Sequence, residues 1–313
     1  MEYRQVGVSG LTVSAAGLGC NNFGFRMDQQ AADEVVGAAL DLGVNFFDTA
    51  AMYGDGASEE ILGRALGARR DEAVIATKFG APRADGPARA AGSRANVVAE
   101  CEASLRRLGT DHIDLYYLHF SDRFTPIEET LSALDDLIRQ GKVRYVAGSG
   151  MAGWQIVDAH HVAARTGASA FIGQQFEWNL LRRECEAEIV PATAHCGIGM
   201  IPFFPLASGM LTGKYSPAKE YPADSRLASA EYFRKDATDA NFAIVDKLKT
   251  VAAEHERTMV DLAIGWLLAN IGVPSVISGA TSTAQLTQNA AVAADPLDAD
   301  TLAAIDAVLE PAQ

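Results

Sequence analysis

Eight short runs of β-branched and aliphatic residues alternate with longer helical patterns along 313 residues. That rhythm predicts an α/β fold, a (β/α)8 TIM barrel with an N-terminal β-hairpin and a long loop after the seventh strand. The strand count decides the architecture, because eight parallel β/α repeats close on themselves, whereas a doubly wound sheet reaches a second domain with fewer strands. Composition agrees. With 49% hydrophobic, 21% charged and 8% aromatic residues the chain can bury a large core, and one barrel domain over residues 1–313 is expected.

In chain order, Tyr3-Arg4-Gln5-Val6 and Leu11-Thr12-Val13 flank a glycine-containing turn and read as a hairpin that caps the bottom of the barrel. Strands are expected near 15–18, 44–47, 73–77, 113–118, 143–147, 170–174, 199–203 and 274–278. Helices near 29–42, 58–67, 93–108, 126–140, 153–166 and 184–195 connect the first seven. The stretch 238–269, read as two helices, precedes the eighth, and helices near 283–293 and 298–309 follow it. The clearest unit is the run Ile113-Asp114-Leu115-Tyr116-Tyr117-Leu118 and the helix after it. There Thr125-Pro126-Ile127-Glu128 reads as a capping box, with Thr125 at N-cap, Pro126 first in the helix and Glu128 at N3. The apolar face Ile127, Leu131, Leu134 and Ile138 follows the helical period, and Gly141 ends it. Segment 206–237, with Gly209, Gly213, Pro217 and Pro222, shows no strand or helix period and is expected to be a large functional loop.

Charge and cysteine usage narrow the function classes. The chain has 26 Lys and Arg against 40 Asp and Glu, a net charge of −14, which argues against nucleic acid or an anionic membrane as partner. Any phosphate must be held locally. Cys20, Cys101, Cys185 and Cys196 lie far apart without a C-x-x-C pair, so neither a disulfide framework nor a zinc site is expected, and a reducing cytoplasm is the expected location. Met1-Glu2-Tyr3-Arg4 begins no signal peptide. The uncharged stretch Leu262–Ala294 is broken by Gly272, Pro274, Gln285 and Asn289 and is not expected to span a bilayer. Adjacent His160 and His161 point to different faces of a helix, so no metal site is expected.

In such barrels chemistry sits at the C-terminal ends of the strands. After the second strand comes Asp48-Thr49-Ala50-Ala51-Met52-Tyr53-Gly54, at the end of the third Thr77-Lys78, and after the fourth His119. A tyrosine with an ordinary pKa of about 10 donates protons poorly at neutral pH unless a cation stabilises its phenolate. Lys78 supplies that charge, Asp48 orients Lys78, and His119 hydrogen-bonds a substrate oxygen.

With these residues in place, the chain resembles the aldo-keto reductases over essentially its whole length. Asp48-Thr49-Ala50-Ala51-Met52-Tyr53-Gly54 is similar to the family's D-T-A-x-x-Y-G, Lys78 occupies its strand-end lysine position, and Leu118-His119 resembles its L-H. Pro205-Leu206-Ala207-Ser208-Gly209-Met210-Leu211-Thr212-Gly213-Lys214-Tyr215 resembles its cofactor-clamping loop, and Ser278-Gly279-Ala280-Thr281 with Gln285 and Asn289 its adenine-end motif. The motif style is that of the bacterial and potassium-channel-beta-subunit-like branch.

The resemblance implies reduction of aldehydes or ketones with Asp48, Tyr53, Lys78 and His119 as catalytic residues. It implies an extended nicotinamide cofactor, NADPH favoured and NADH possible, without a Rossmann domain. Ser149 and Gln175 would bind the carboxamide and Phe203 stack on the ring. Phe204, Pro205, Leu206, Ser208, Gly209, Lys214 and Arg226 would clamp the middle, and Gly279, Thr281, Ser282, Gln285, Gln288 and Asn289 would surround the adenosine. Gly19, Cys20, Asn21 and Asp48 would border the cofactor at the barrel mouth, so bound NADPH is expected to shield Cys20 from alkylation. Substrate contacts fall to Phe25, Met52, Tyr53, Phe120, Arg123, Phe124 and the 216–237 segment. A small-molecule carbonyl compound is the expected partner, the protein acting as monomer or homo-oligomer.

Three departures stand out. Ser149-Gly150 replaces the usual Ser-Asn, Phe203-Phe204 replaces Tyr-Ser, and Thr281 stands where many relatives carry an arginine for the 2′-phosphate. The alternative from another class is a cofactor-binding regulatory subunit, because potassium-channel beta subunits share the barrel and the motifs. Those carry a long N-terminal extension, whereas the hairpin here begins by residue 3. A Rossmann reading of Gly17-Leu18-Gly19 fails, since Gly24 follows Gly19 by five residues where three are needed.

Overall fold

The computed structural model describes residues 1–81, 91–217, 220–222 and 225–309. Eight parallel strands close into a barrel: β3 (Ala16–Gly19), β4 (Phe46–Asp48), β5 (Val74–Phe79), β6 (Ile113–Leu118), β7 (Val143–Ser149), β8 (Gly173–Glu177), β9 (Gly199–Phe203) and β10 (Val276–Gly279). They are ordered β10-β3-β4-β5-β6-β7-β8-β9, as the alternation predicts. The preceding hairpin pairs β1 (Tyr3–Gln5) with β2 (Thr12–Ser14), Arg4 opposite Val13.

Helices α1 (Gln29–Asp41), α2 (Ala57–Leu66), α3 (Arg94–Leu108), α4 (Ile127–Arg139), α5 (Gly153–Thr166) and α6 (Ile189–His195) join successive strands from β3 to β9. After β9 come α7 (Arg226–Ser229), α8 (Asp239–Glu254) and α9 (Met259–Ala269). After β10 come α10 (Thr283–Ala291) and α11 (Ala299–Leu309). Among the described residues no helix is long and apolar enough to cross a membrane.

Strand alternation divides the core in two. Phe46, Ala76, Leu115, Tyr117, Ala147, Ile201 and Ile277 point into the barrel and pack with Val6, Leu11 and Val13 of the hairpin. The intervening residues, such as Phe47, Ile75 and Tyr116, join the layer between strands and helices. The hairpin sits at the strands' N-terminal ends, where the Ser14 amide donates to Asn45 Oδ1 at 2.7 Å. Gly7, at φ 55°, lies so close that a Cβ would stand 2.6 Å from the carbonyl oxygens of Ile172 and Gly197. With that end plugged, the C-terminal end is left for a site.

Four local expectations are corrected. No capping box forms at Thr125: Pro126, extended at ψ 135°, is itself the residue before α4, so the helix starts at Ile127 without a side-chain cap. The expected helix 184–195 is divided into a 3-10 turn, Glu184–Ala187, and α6. Pro191 explains the break, since its ring would collide with the carbonyl four residues back in a continuous helix. The 206–237 segment is not devoid of regular structure, holding 3-10 turns at Ala207–Thr212 and Glu231–Arg234 besides α7; its positions 218–219 and 223–224 lie outside the described residues. Strands expected from 44, 170 and 274 begin two or three residues later. Val44 still bonds back to Ala39 in the end of α1, and Pro274 has no N–H to pair.

Candidate active site

The period of two that fills the barrel also builds the site. Continuing each inward-facing row by two residues toward the C-terminal end leads from Phe46 to Asp48, from Ala76 to Lys78, from Tyr117 to His119 and from Ala147 to Ser149. The same step leads from Gly173 to Gln175, from Ile201 to Phe203 and from Ile277 to Gly279. These side chains converge because their strands are neighbours in a closed sheet.

Lys78 is the floor of the arrangement. Its fully buried Nζ donates to Asp48 Oδ1 at 2.5 Å, to the Thr49 carbonyl at 2.8 Å and to Tyr53 Oη at 3.3 Å. Asp48 uses its other oxygen to accept from Gln175 Nε2 at 2.8 Å, so this amide, which the resemblance assigns to a carboxamide, also holds the Asp48 carboxylate. Burial works against the Lys78 ammonium, but Asp48 and Tyr53 outweigh it and its pKa stands above the usual lysine value.

Tyr53 opens a tight turn after β4 in which Gly54, Asp55 and Gly56 are all left-handed. Burial pushes its phenol above the usual tyrosine range and Lys78 pulls the other way. The net shift is upward, so the side chain is a protonated donor at neutral pH. His119 faces Tyr53 edge-on at 6.0 Å and stacks on Phe120 at 4.4 Å. Its Nδ1 is buried without a hydrogen-bond partner among the described residues. Burial first, and the Lys78 charge second, lower its pKa to about 2, so the imidazole is neutral across the physiological range.

Around this floor opens a cleft of about 1820 Å3, larger than the usual small-ligand pocket of about 300–1,000 Å3. Of the expected cofactor residues, Gly19, Asn21, Asp48, Ser149, Gln175, Phe203, Phe204, Pro205, Leu206, Ser208, Gly209 and Lys214 line it. So do Arg226, Gly279, Thr281, Gln285, Gln288 and Asn289. Ser282 does not: its hydroxyl caps α10 by accepting from the Gln285 amide at 3.3 Å. On the substrate side Phe25, Met52, Tyr53 and Phe120 line the cleft, whereas Arg123 and Phe124 are exposed outside its lining, Phe124 by 81%.

Cys20 is also absent from the lining. It is wholly buried, its thiol directed at the Leu18 carbonyl and pushed well above its usual range by burial and then by Asp48. The expectation of cofactor shielding is therefore replaced. Iodoacetamide should leave Cys20 unlabelled in the native protein with or without NADPH, as peptide mass mapping will show, and labelling that NADPH suppresses would contradict this placement.

The partners that hold Arg226 and Phe204 in place carried no such role in the sequence. Arg226 donates from Nη1 to Asn22 Oδ1 at 2.9 Å. Its guanidinium carbon lies 4.6 Å from the Phe233 ring centre and 5.6 Å from that of Phe204. Phe204 itself is held at φ 53°, its carbonyl accepting from the Asn179 side chain and the Ala207 amide, both at 3.0 Å. Asn22, Asn179 and Phe233 meet Arg226 or its neighbours only through the fold.

Anion chemistry suits this end of the cleft. Among the described residues, the buried Arg226 Nε has no acceptor, and burial together with the nearby Arg26 charge lowers the pKa of the guanidinium. Phosphate oxygens would supply an acceptor for Nε and a negative charge beside the guanidinium. The adjoining backbone permits close approach, with Ser208 and Gly209 both left-handed at the rim. The residues present thus fit a dinucleotide held by Arg226, Lys214 and the 205–215 loop.

Comparison with known proteins agrees in extent. Residues 15–310 match the model of the aldo/keto reductase family. A probable voltage-gated potassium channel subunit beta of Arabidopsis thaliana is 39% identical over 299 residues, covering 92% of this chain and 90% of the relative. The uncharacterized oxidoreductase YrpG of Bacillus subtilis is 36% identical, covering 91% and 89%. L-glyceraldehyde 3-phosphate reductase of Escherichia coli is 35% identical, covering 92% and 86%.

Proposed function

Since this chain belongs to the aldo/keto reductase family, whose members act on small carbonyl compounds with nicotinamide cofactors, we propose that it reduces aldehydes or ketones to alcohols with NADPH. One observation carries the reading: the buried Lys78 ammonium touches both Asp48 and the Tyr53 hydroxyl at the floor of the cleft, with neutral His119 opposite. A reduced nicotinamide, when bound, supplies a hydride to the carbonyl carbon. The chain's own task is the proton. Tyr53 delivers it to the carbonyl oxygen, and Lys78 stabilises the phenolate left behind. Asp48 keeps Lys78 charged and aimed, and His119 donates a hydrogen bond to the same oxygen. The balance is one hydride and one proton added across C=O, giving an alcohol and the oxidised cofactor.

The test is oxidation of NADPH, with NADH alongside, over a panel of aromatic, aliphatic and sugar aldehydes. Lys214 and Arg226 support NADPH as the better ligand, and one added charge-assisted contact is worth about 1.5–3 kcal/mol. The dissociation constant for NADPH should then be at least about tenfold lower than for NADH. Equal constants in a fluorescence titration would remove the preference and make the neutral Thr281 its reason. A second reading is favoured by the Arabidopsis relative's description as a channel subunit: a cofactor-binding regulatory subunit with little turnover. Protein that binds NADPH and reduces none of the panel would support that reading instead.

A further inference from the structure

Directly after the Tyr53 turn, the first turn of α2 carries two fully buried polar residues, Ser58 and Glu59, that the mechanism above does not use. Both reach neighbours of the catalytic groups. Ser58 Oγ donates to the Cys20 carbonyl at 2.8 Å and lies 2.8 Å from the hydroxyl of Thr49, whose own carbonyl accepts from Lys78. Glu59 divides its oxygens. Oε1 accepts from the hydroxyl of Thr77, the residue before Lys78 in β5, at 2.6 Å, and Oε2 accepts from Arg107 Nε of α3, also at 2.6 Å. Arg107 in turn runs directly beneath the left-handed turn, where a Cβ on Gly56 would stand 2.7 Å from its Cδ.

We propose that Glu59 is a positioning residue which, through Thr77 and Arg107, holds the Tyr53 turn against the strand carrying Lys78 and so sets the 3.3 Å contact between the two. The inference rests on the reading of Tyr53 as proton donor. Its physical basis is that the turn has three successive left-handed residues, Asp55 among them without glycine's freedom, and needs external support to persist. Gly56, the residue before α2, gives the helix no side-chain cap, so its first turn is anchored by Ser58 and Glu59 instead. Alternation sends Lys78 inward and Thr77 outward from one strand. A carboxylate behind the sheet thereby grips the strand whose next residue works in front of it. The Glu59–Arg107 pair joins a fully buried carboxylate to a partly exposed guanidinium, and its proposed contribution is to orientation rather than to stability.

The groups facing Tyr53 are Lys78 from β5, Asp48 from β4, His119 after β6, Cys20 after β3 and Arg226 of α7. If its contact with Lys78 lengthens, the phenol loses the pull that favours the phenolate. The test variant is Thr77→Val, nearly isosteric and lacking only the donor. Tyrosinate absorbance of each protein minus that of its Tyr53→Phe counterpart isolates the titration of Tyr53 without catalysis. In Thr77→Val this titration should move to higher pH and kcat fall by about 10- to 100-fold, the scale of a small misplacement. KM and the cofactor dissociation constant should stay unchanged, because neither Thr77 nor Glu59 lines the cleft. Thr77→Ser, which keeps the donor, should restore both readouts. A folded Thr77→Val with wild-type titration and kcat overturns the proposal, as does a fall in Tm and kcat together while the titration stays put. Wild-type protein that reduces no carbonyl while the titration still shifts upholds the positioning role and overturns the proposed activity instead.

Discussion

Tyr53→Phe is expected to lose about 10²–10⁴-fold in turnover, the usual contribution of a positioned general acid, while cofactor affinity stays near wild type. The substitution removes only the hydroxyl that meets Lys78 Nζ at 3.3 Å. The ring remains, and so does its edge-on packing against His119. Lys78→Met should fall by a similar factor through the same proton. It should also raise the Tyr53 pKa further, since Lys78 is the group that lowers it against the dominant effect of burial. The His119→Ala loss should vary with substrate and be greatest for poorly polarised ketones, which most need a hydrogen bond to the oxygen. Steady-state kinetics with an NADPH binding titration on each variant checks all three, and wild-type turnover by Tyr53→Phe would refute its role as acid.

Asp48→Asn should be the most destabilising of the site substitutions, by about 3–5 kcal/mol at neutral pH, because it leaves a fully buried ammonium without its counter-charge. The pH dependence carries a sign. In the wild type the folded pKa of Lys78 lies above the unfolded one, so its stabilisation is complete below the ordinary lysine value and is lost as pH rises through the folded value. Without Asp48 the burial that opposes the charge prevails and the folded pKa falls below the unfolded one, so stability now rises with pH through that window. The difference between wild type and variant, measured by urea unfolding at neutral and alkaline pH, should therefore narrow on the alkaline side. A constant difference would show that the lost contact is not chiefly that of a charge. Asp48→Asn combined with Lys78→Met should recover part of the loss, since no unpaired ammonium is then buried.

Both results concern residues that can be picked out without coordinates. Asp48, Lys78 and His119 each stand where a strand pattern ends, and the two-residue step from a buried neighbour already aims them inward. Strand starts are harder to read where apolar loop residues imitate strand composition, as at the buried Val44 and the half-buried Ala170. Thr125 carried a capping signal that went unused, because Pro126 took the extended conformation and became the boundary itself. The break before α6 has a local cause in Pro191, whose ring a continuous helix from Glu184 would not accommodate.

What the sequence determined by itself is what depends on near neighbours: the alternation of strands and helices, hence the barrel, and which face of each strand looks inward. Steric and burial preferences act over two to four residues and leave a periodic trace. Only the tertiary structure decided the partners. Gln175 holds Asp48 across 127 residues and Arg226 reaches Asn22 across 204, pairings that exist because the sheet closes and the loop after β9 folds over its mouth. The same holds for Cys20, whose place after β3 suggests the cleft although closure turns its thiol into the wall, and for Glu59, unremarked in sequence yet bonded through the barrel wall to the neighbour of Lys78. A hydrogen bond between distant segments leaves no period behind, so its endpoints become visible only when the chain brings them together.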